Sequence, residues 1–276
     1  MSIHRFTEGG VSGAVIDVLE PDTYDLNQSL PEDQQRPGDA TITYTWHCWY
    51  LRLEGRHIMV DAGYHAREAI AGLAQLGIPP DAIDLVLITH GDGDHVCGLI
   101  DEQAAPTFPN ARYVLSQGLW DFWHDDDALL ERYPAAEYRE LIHRIVAQLR
   151  GRCDLYEGEA TLPGGIKLWP CPGHREGHVT FQVPTSSAPV WFIGDAIFDP
   201  VFVEHPEWPD RSDHEPERAA ESRRALLAEA AASGALLFTG HIPFPGIGRI
   251  ERAGPHSGAA NGAGDTYRWI PVQETA

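Results

Sequence analysis

The chain's 276 residues are 43% hydrophobic and 22% charged, enough to bury a sizeable core and well away from the composition of disordered chains. Its 20 Lys plus Arg against 41 Asp plus Glu give a formal net charge of −21. That charge repels phosphate backbones and anionic lipid and argues against nucleic acid or membrane as partner, while a small anionic substrate stays open because bound cations reverse the potential inside a pocket. The four cysteines, Cys48, Cys97, Cys153 and Cys171, form no CxxC pair, which excludes a zinc knuckle and a thioredoxin-like motif; with no signal-peptide pattern and no apolar run of membrane length, the expectation is a cytoplasmic protein.

Residues 1–40 read as an N-terminal arm, since 21–40 are rich in Pro, Asp and Gln and have no apolar period. From Thr41 the run ITYTWHCWYLRLEGRHIMVDAG alternates and is aromatic and β-branched, which predicts two strands joined at Glu54-Gly55 and ending on Asp61-Ala62-Gly63. Residues 66–76 carry apolar positions at helical spacing and stop at Gly77, with Pro79 just beyond, and predict a helix. Ile83 to Thr89 is the short β-branched run of a strand buried on both faces, and it delivers His90 into a loop. Beyond it come a strand at 112–116, a helix at 136–150, strands at 166–170, 178–183 and 190–194, a helix at 216–232 and a last buried strand at 235–239. Strands interleave with helices and no linker or repeat interrupts them, so the expectation is one α/β (α+β) domain over 1–276, with a C-terminal tail at 253–276 whose Gly- and Ala-rich start reads as loop.

The chemistry concentrates in Thr89-His90-Gly91-Asp92-Gly93-Asp94-His95, directly after a buried strand. Four side chains able to bind a metal fall within six residues, and the two glycines let the backbone turn sharply enough to aim them inward. Three further strand ends each present one such residue: Pro172-Gly173-His174, with a second histidine at His178; Gly194-Asp195; and Gly240-His241. Several strands delivering single donors to one sheet edge is the convergence a metal site requires.

The ordered set VDAG, THxxxDH, PGH, GD and GH, spanning residues 61 to 241, resembles the sequence motifs of the metallo-β-lactamase superfamily. The resemblance implies a four-layer αβ/βα sandwich with two divalent metal ions at its open edge, zinc foremost. One ion would be held by His90, Asp92 and His174 and the other by Asp94, His95 and His241, with Asp195 bridging both. It further implies that a hydroxide shared by the two ions attacks the substrate while Asp94 takes up or orients the proton, which makes Asp94 and Asp195 the catalytic carboxylates. Asp61 becomes an anchor behind the ligands, and His178 a structural histidine beside them. Asp92 departs from the family, which usually has histidine there; its harder oxygen raises iron or manganese as alternatives to zinc.

Outside the motifs, the stretches HPEW, SRRALL and HIPFPGIG resemble the branch that contains methyl-parathion-hydrolase-like enzymes and lactonases, which implies hydrolysis of lactones, carboxyl esters or phosphotriesters. Phe198 and Phe244, each close to a proposed ligand, are the candidate pocket residues, and the partner is a small molecule; a homodimer stays open. A flavodiiron-like di-iron oxidoreductase is the competing class, because such proteins carry a glutamate at the position of Asp92. Too little chain follows His241 for their flavin-binding module, so this reading needs a protein that lacks it. A metal-free binding protein is disfavoured, because every ligand position holds a competent donor.

Overall fold

The computed structural model describes residues 2–28, 30, 32, 35, 40–255 and 265–272. Two seven-stranded sheets dominate it. In the first, β1 (Ile3–Glu8), β2 (Val11–Asp17), β5 (His47–Leu53), β6 (Arg56–Val60), β7 (Leu85–Leu87), β8 (Arg112–Ser116) and β9 (Cys153–Tyr156) lie side by side in that order. The second runs β10 (Ala160–Thr161), β11 (Lys167–Pro170), β12 (Val179–Val183), β13 (Val190–Phe192), β14 (Leu236–Phe238), β15 (Ile247–Pro255) and β16 (Asp265–Pro271). A separate hairpin pairs β3 (Asp22–Asp25) with β4 (Thr41–Tyr44).

The pleat sorts each strand between two cores, because successive side chains point to opposite faces. In β5, Trp49 and Leu51 face the space between the sheets while Cys48 and Tyr50 face outward, and in β13 Val190 and Phe192 face inward while Trp191 faces out. The outer face of the first sheet is covered by α1 (Ala66–Leu76) and α5 (Ala136–Leu149), through Ala69, Leu73, Ile142, Ile145 and Leu149. The outer face of the second is covered by α7 (Pro216–Ser233), through Leu226, Leu227 and Ala230, and the short helices α2 (Gly93–Val96), α3 (Gln117–Phe122), α4 (Asp126–Arg132) and α6 (Val201–Glu204) lie in the connections between strands. The result is the expected four-layer αβ/βα sandwich, with a helical layer on each outer face. No helix among the described residues is long and apolar enough to cross a membrane.

Most predicted elements lie within a residue or two of their expected bounds, and α1 and β8 match theirs. Three predicted segments differ, and residues 117–122, 126–132, 153–156, 160–161 and 201–204 form elements where none is expected. Residues 3–25, expected as part of an arm, supply β1, β2 and β3; β1 and β2 form a hairpin that extends the first sheet through β5. The run from Thr41 contains three strands and not two: it breaks at Thr45-Trp46, where the Thr45 amide leaves the ladder to bond the His241 carbonyl at 3.1 Å. Of the expected tail, 253–255 and 265–271 belong to β15 and β16, which pair antiparallel, while residues 256–264 and 273–276 lie outside the described residues.

Candidate metal centre

The loop after β7 brings its donors to the open edge of the first sheet, with Asp94 and His95 on a single helical turn, α2 (Gly93–Val96). The second sheet contributes His174 from the loop after β11, Asp195 after β13 and His241 after β14. Two glycines permit this convergence. Gly173 has φ 124 and packs so tightly on the start of α7 that a Cβ there would overlap the Ala219 backbone nitrogen. A Cβ on Gly240 would sit 2.7 Å from Asp195 Oδ1.

Asp195 is the centre of the arrangement. Its Oδ2 lies 2.9 Å from His241 Nε2, 3.4 Å from His174 Nε2 and 3.7 Å from His90 Nε2, and its Oδ1 lies 3.2 Å from His95 Nε2. The donor atoms fall into two groups that share it, each with all its atoms within 4.8 Å of one another: Asp94, His95, Asp195 and His241, and His90, His174 and Asp195. Asp94 Oδ2 is 3.3 Å from both His95 Nε2 and His241 Nε2. Asp92 stands beside the second group, with Oδ2 3.6 Å from His174 Nε2 and 3.9 Å from His90 Nε2.

Each of the four imidazoles is locked through its other nitrogen. His95 Nδ1 donates to Asp61 Oδ2 at 2.7 Å, His174 Nδ1 to Asp213 Oδ1 at 3.1 Å, and His241 Nδ1 to the Thr45 carbonyl at 2.8 Å. His90 is the instructive case. The Thr89 hydroxyl spends its only proton on Asp61 Oδ2 at 2.7 Å, so at 3.0 Å from His90 Nδ1 it can only accept. Every Nδ1 therefore carries a hydrogen, and in the neutral ring every Nε2 presents a lone pair to the common centre. Among the described residues, Nε2 of His90, His95 and His174, together with Asp195 Oδ1, are buried without a hydrogen bond, which is costly unless something else satisfies them.

Electrostatics point the same way. Burial, reinforced by His95, holds the His90 pKa well below the ordinary imidazole value. Burial works to raise Asp92 and Asp195, but His174, His90 and Arg175 around the first, and His241, His95 and His90 around the second, hold both well below the usual carboxylate range. Asp195 in turn raises His95 and His174 against the effect of burial. The cluster thus attracts positive charge, and its nitrogen and carboxylate donors suit a divalent transition-metal ion.

Asp61 is fully buried and accepts from Thr89 N at 2.8 Å, the Thr89 hydroxyl and His95, so it ties β6 to the motif loop. His178 donates Nδ1 to the Cys171 carbonyl at 2.9 Å, and burial, with His174 adding to it, pushes it down to about 4, so it stays neutral beneath His90 and His174. Phe198 lines the cavity that opens on the cluster, about 210 Å³ in volume. Phe244 does not: it packs against His4 and His47 at the margin of the core between the sheets, because the chain turns away from the edge immediately after His241.

Several residues of the site carried no signal in the sequence. Tyr24, Tyr44, Trp46 and Phe198 line the cavity together with Asp92 and Asp94, and the Phe198 ring centroid lies 4.4 Å from that of His241. Tyr24 belongs to the segment expected as an arm, and Tyr44 and Trp46 to a run that reads as ordinary strand. Tyr133 and Arg175, which bond Asp92, and Asp213 and Arg223, which support His174, are likewise unmarked by spacing.

The chain matches the family model of the metallo-beta-lactamase superfamily over residues 47–241. No curated protein matches it. Among solved structures it is similar to the hydrolase AbOPH of the beta lactamase superfamily, at 24% identity and TM-score 0.82, covering 99% of this chain and 98% of that one. The dizinc quorum-quenching lactonase AidC, in complex with a product, is 19% identical with TM-score 0.81 and the same coverage. A probable metal-dependent hydrolase from Staphylococcus aureus is 18% identical with TM-score 0.72, covering 88% of this chain and 94% of that one.

Proposed function

This chain belongs to the metallo-beta-lactamase superfamily, and from that premise we propose that it is a dinuclear-metal hydrolase of ester-type bonds: lactones, carboxyl esters or phosphotriesters. One observation carries the reading. Four imidazoles with fixed Nδ1–H tautomers aim Nε2 at a shared, buried carboxylate, three of those nitrogens have no hydrogen bond, and carboxylates complete the two donor sets. His90, Asp92 and His174 would hold one cation, Asp94, His95 and His241 the other, and Asp195 belongs to both donor groups.

Divalent cations bound there supply water ionised near neutral pH and a Lewis acid for the oxygen under attack. The protein's own contribution is positional. Asp61, Thr89, Asp213 and the Thr45 carbonyl hold the imidazoles in register, which removes reorganisation from the reaction. Asp94 faces the cavity with a side chain 19% exposed, where its carboxylate would take up or orient a proton. Tyr24, Tyr44, Trp46 and Phe198 pack an apolar acyl or aryl group and keep water from it. The lactonase among the similar structures supports the ester class, as does the likeness of HPEW, SRRALL and HIPFPGIG to the methyl-parathion-hydrolase-like branch.

Protein purified without added metal, analysed for metal content and assayed against lactones, phosphotriesters, thioesters and β-lactams, tests the reading. Two equivalents of zinc, iron or manganese with turnover of a lactone or phosphotriester is the expected result. Iron with turnover of O₂ or NO and no ester hydrolysis would move the protein to the oxidoreductase class that Asp92 brings into view, and a folded protein without bound metal would end both readings.

A further inference from the structure

The two halves of the donor cluster differ in charge. Around His90 and His174, each carboxylate other than the shared Asp195 is matched by an arginine. Asp92 Oδ1 accepts from Arg175 Nε at 2.8 Å and from the Tyr133 hydroxyl at 2.7 Å, and Asp213, behind His174, is paired through Oδ2 with Arg223 Nη2 at 2.8 Å. Around His95 and His241 the carboxylates are Asp94 and Asp61, and among the described residues neither meets a Lys or Arg at ion-pair distance. Asp61 draws the His95 Nδ1–H at 2.7 Å with its charge uncompensated, which makes Nε2 of that ring the more basic donor.

Arg175 is not free to leave. Its Nη1 donates to the His174 carbonyl at 2.9 Å and to the Ser212 carbonyl, which fixes the guanidinium between the His174 loop and the segment before α7. With Oδ1 of Asp92 occupied by two donors, only Oδ2 faces His90 and His174. A permanent positive charge one hydrogen bond from a ligand carboxylate opposes a cation on its other oxygen.

Resting on the dinuclear reading, we infer that Arg175 is a positioning residue that holds Asp92 to one ligating oxygen, and that its charge makes the His90/Asp92/His174 site the weaker, exchangeable one of the pair. The Asp94/His95/His241 site then keeps its cation when the other is lost.

The test uses the whole protein saturated with Zn²⁺, equilibrated over a range of chelator-buffered free zinc and analysed for bound zinc by mass spectrometry. Wild type is expected to release one equivalent at a free-zinc level at least about tenfold above the other. Asp92→Asn should lose the weak step and keep the tight one. Arg175→Met should move only the weak step, by about tenfold toward tighter binding, while Arg175→Lys, which keeps the charge, and Tyr133→Phe, which keeps the ion pair, leave it within about threefold of wild type.

Release of both equivalents in one step, loss of the tight step in Asp92→Asn, or an unmoved or weakened first step in folded Arg175→Met overturns the inference and leaves the dinuclear reading intact. A weak step that moves as far in Arg175→Lys as in Arg175→Met also overturns it, since charge is then not the cause. Should Arg175→Met fail to fold by circular dichroism, the wild-type steps and Asp92→Asn decide. Folded wild type that binds no zinc, iron or manganese removes the inference and the reading together.

Discussion

The two sheets equip the site in opposite ways. The first delivers His90, Asp92, Asp94 and His95 on one loop after β7, and a single buried carboxylate, Asp61, serves both ends of it: directly at His95, and through the Thr89 hydroxyl at His90. The second delivers His174, Asp195 and His241 from three separate strand ends, and the two histidines have separate supports. His174 leans on Asp213 and Arg223, His241 on the Thr45 carbonyl, and Asp195, among the described residues, on the imidazoles around it. Two imidazoles of one loop that share an anchor are disturbed together, whereas dispersed donors with private anchors can be disturbed one at a time. Damage behind the first sheet should therefore reach both cations, and damage behind the second should reach one.

Asp195 is the deliberate exception, and it gives the largest expected effect. It comes from the second sheet, yet both donor groups share it, so Asp195→Asn should lower affinity for both cations and reduce kcat/KM by about 10³-fold, the scale of several kcal/mol of Lewis-acid stabilisation. Metal analysis beside ester turnover checks this, and retention of two tightly held equivalents would refute the shared role. Next comes Asp61→Asn. An amide oxygen placed toward the Thr89 hydroxyl and His95 turns an N–H on the Thr89 amide, and one placed toward the Thr89 amide turns an N–H on the other two donors, so either orientation disturbs the support that His90 and His95 share. Affinity for both cations should fall about 10–100-fold, with about 1–3 kcal/mol of stability lost in urea titrations.

Asp213→Asn sharpens the contrast from the other side. It touches His174 and Arg223 and neither His95 nor His241, so about tenfold weaker binding of one equivalent, with the other unchanged, is the expected outcome. Equal weakening of both equivalents would mean that the second sheet's supports are as coupled as the first's, and the distinction between the sheets would fall.

The same contrast explains what could be read from the sequence. The first sheet's donors are conspicuous because four metal-binding side chains within six residues have few other uses, and the second sheet's donors because each follows a short apolar run and a glycine. Their supports are invisible for a physical reason: Asp213 and Tyr133 reach partners 39 and 41 residues away, and Arg175 a partner 83 away, so no local pattern marks them. The fold was legible wherever pleat or helix period governs, as in α1 and β8, and failed where tertiary contact overrides local preference. Residues 41–53 are strand-forming throughout, yet the strand breaks at Thr45 because its amide and carbonyl both go to His241. The hairpin of β1 and β2 is weakly marked because no residue of β1 is buried, so its strand form comes from pairing with β2, which in turn pairs with β5.

Phe198 and Phe244 bring the contrast down to the smallest effects. Both follow a proposed ligand by three residues, so sequence spacing gives them equal claims on the pocket. The chain after Asp195 stays at the open edge, where Phe198 packs against His241 and Tyr44 with ring centroids 4.4 and 5.3 Å apart. After His241 it turns back toward the sheets, where Phe244 packs against His47 at 5.7 Å and joins the core between them. Phe198→Ala should therefore raise KM for an apolar ester about 3–10-fold with little change in kcat, since it removes packing made equally in ground and transition states. Phe244→Ala should lower stability by about 1–2 kcal/mol, as expected for a half-buried ring, and leave KM within about twofold. Steady-state kinetics and urea titration of the two variants separate the cases, and a KM effect in Phe244→Ala as large as that in Phe198→Ala would return Phe244 to the substrate side of the molecule.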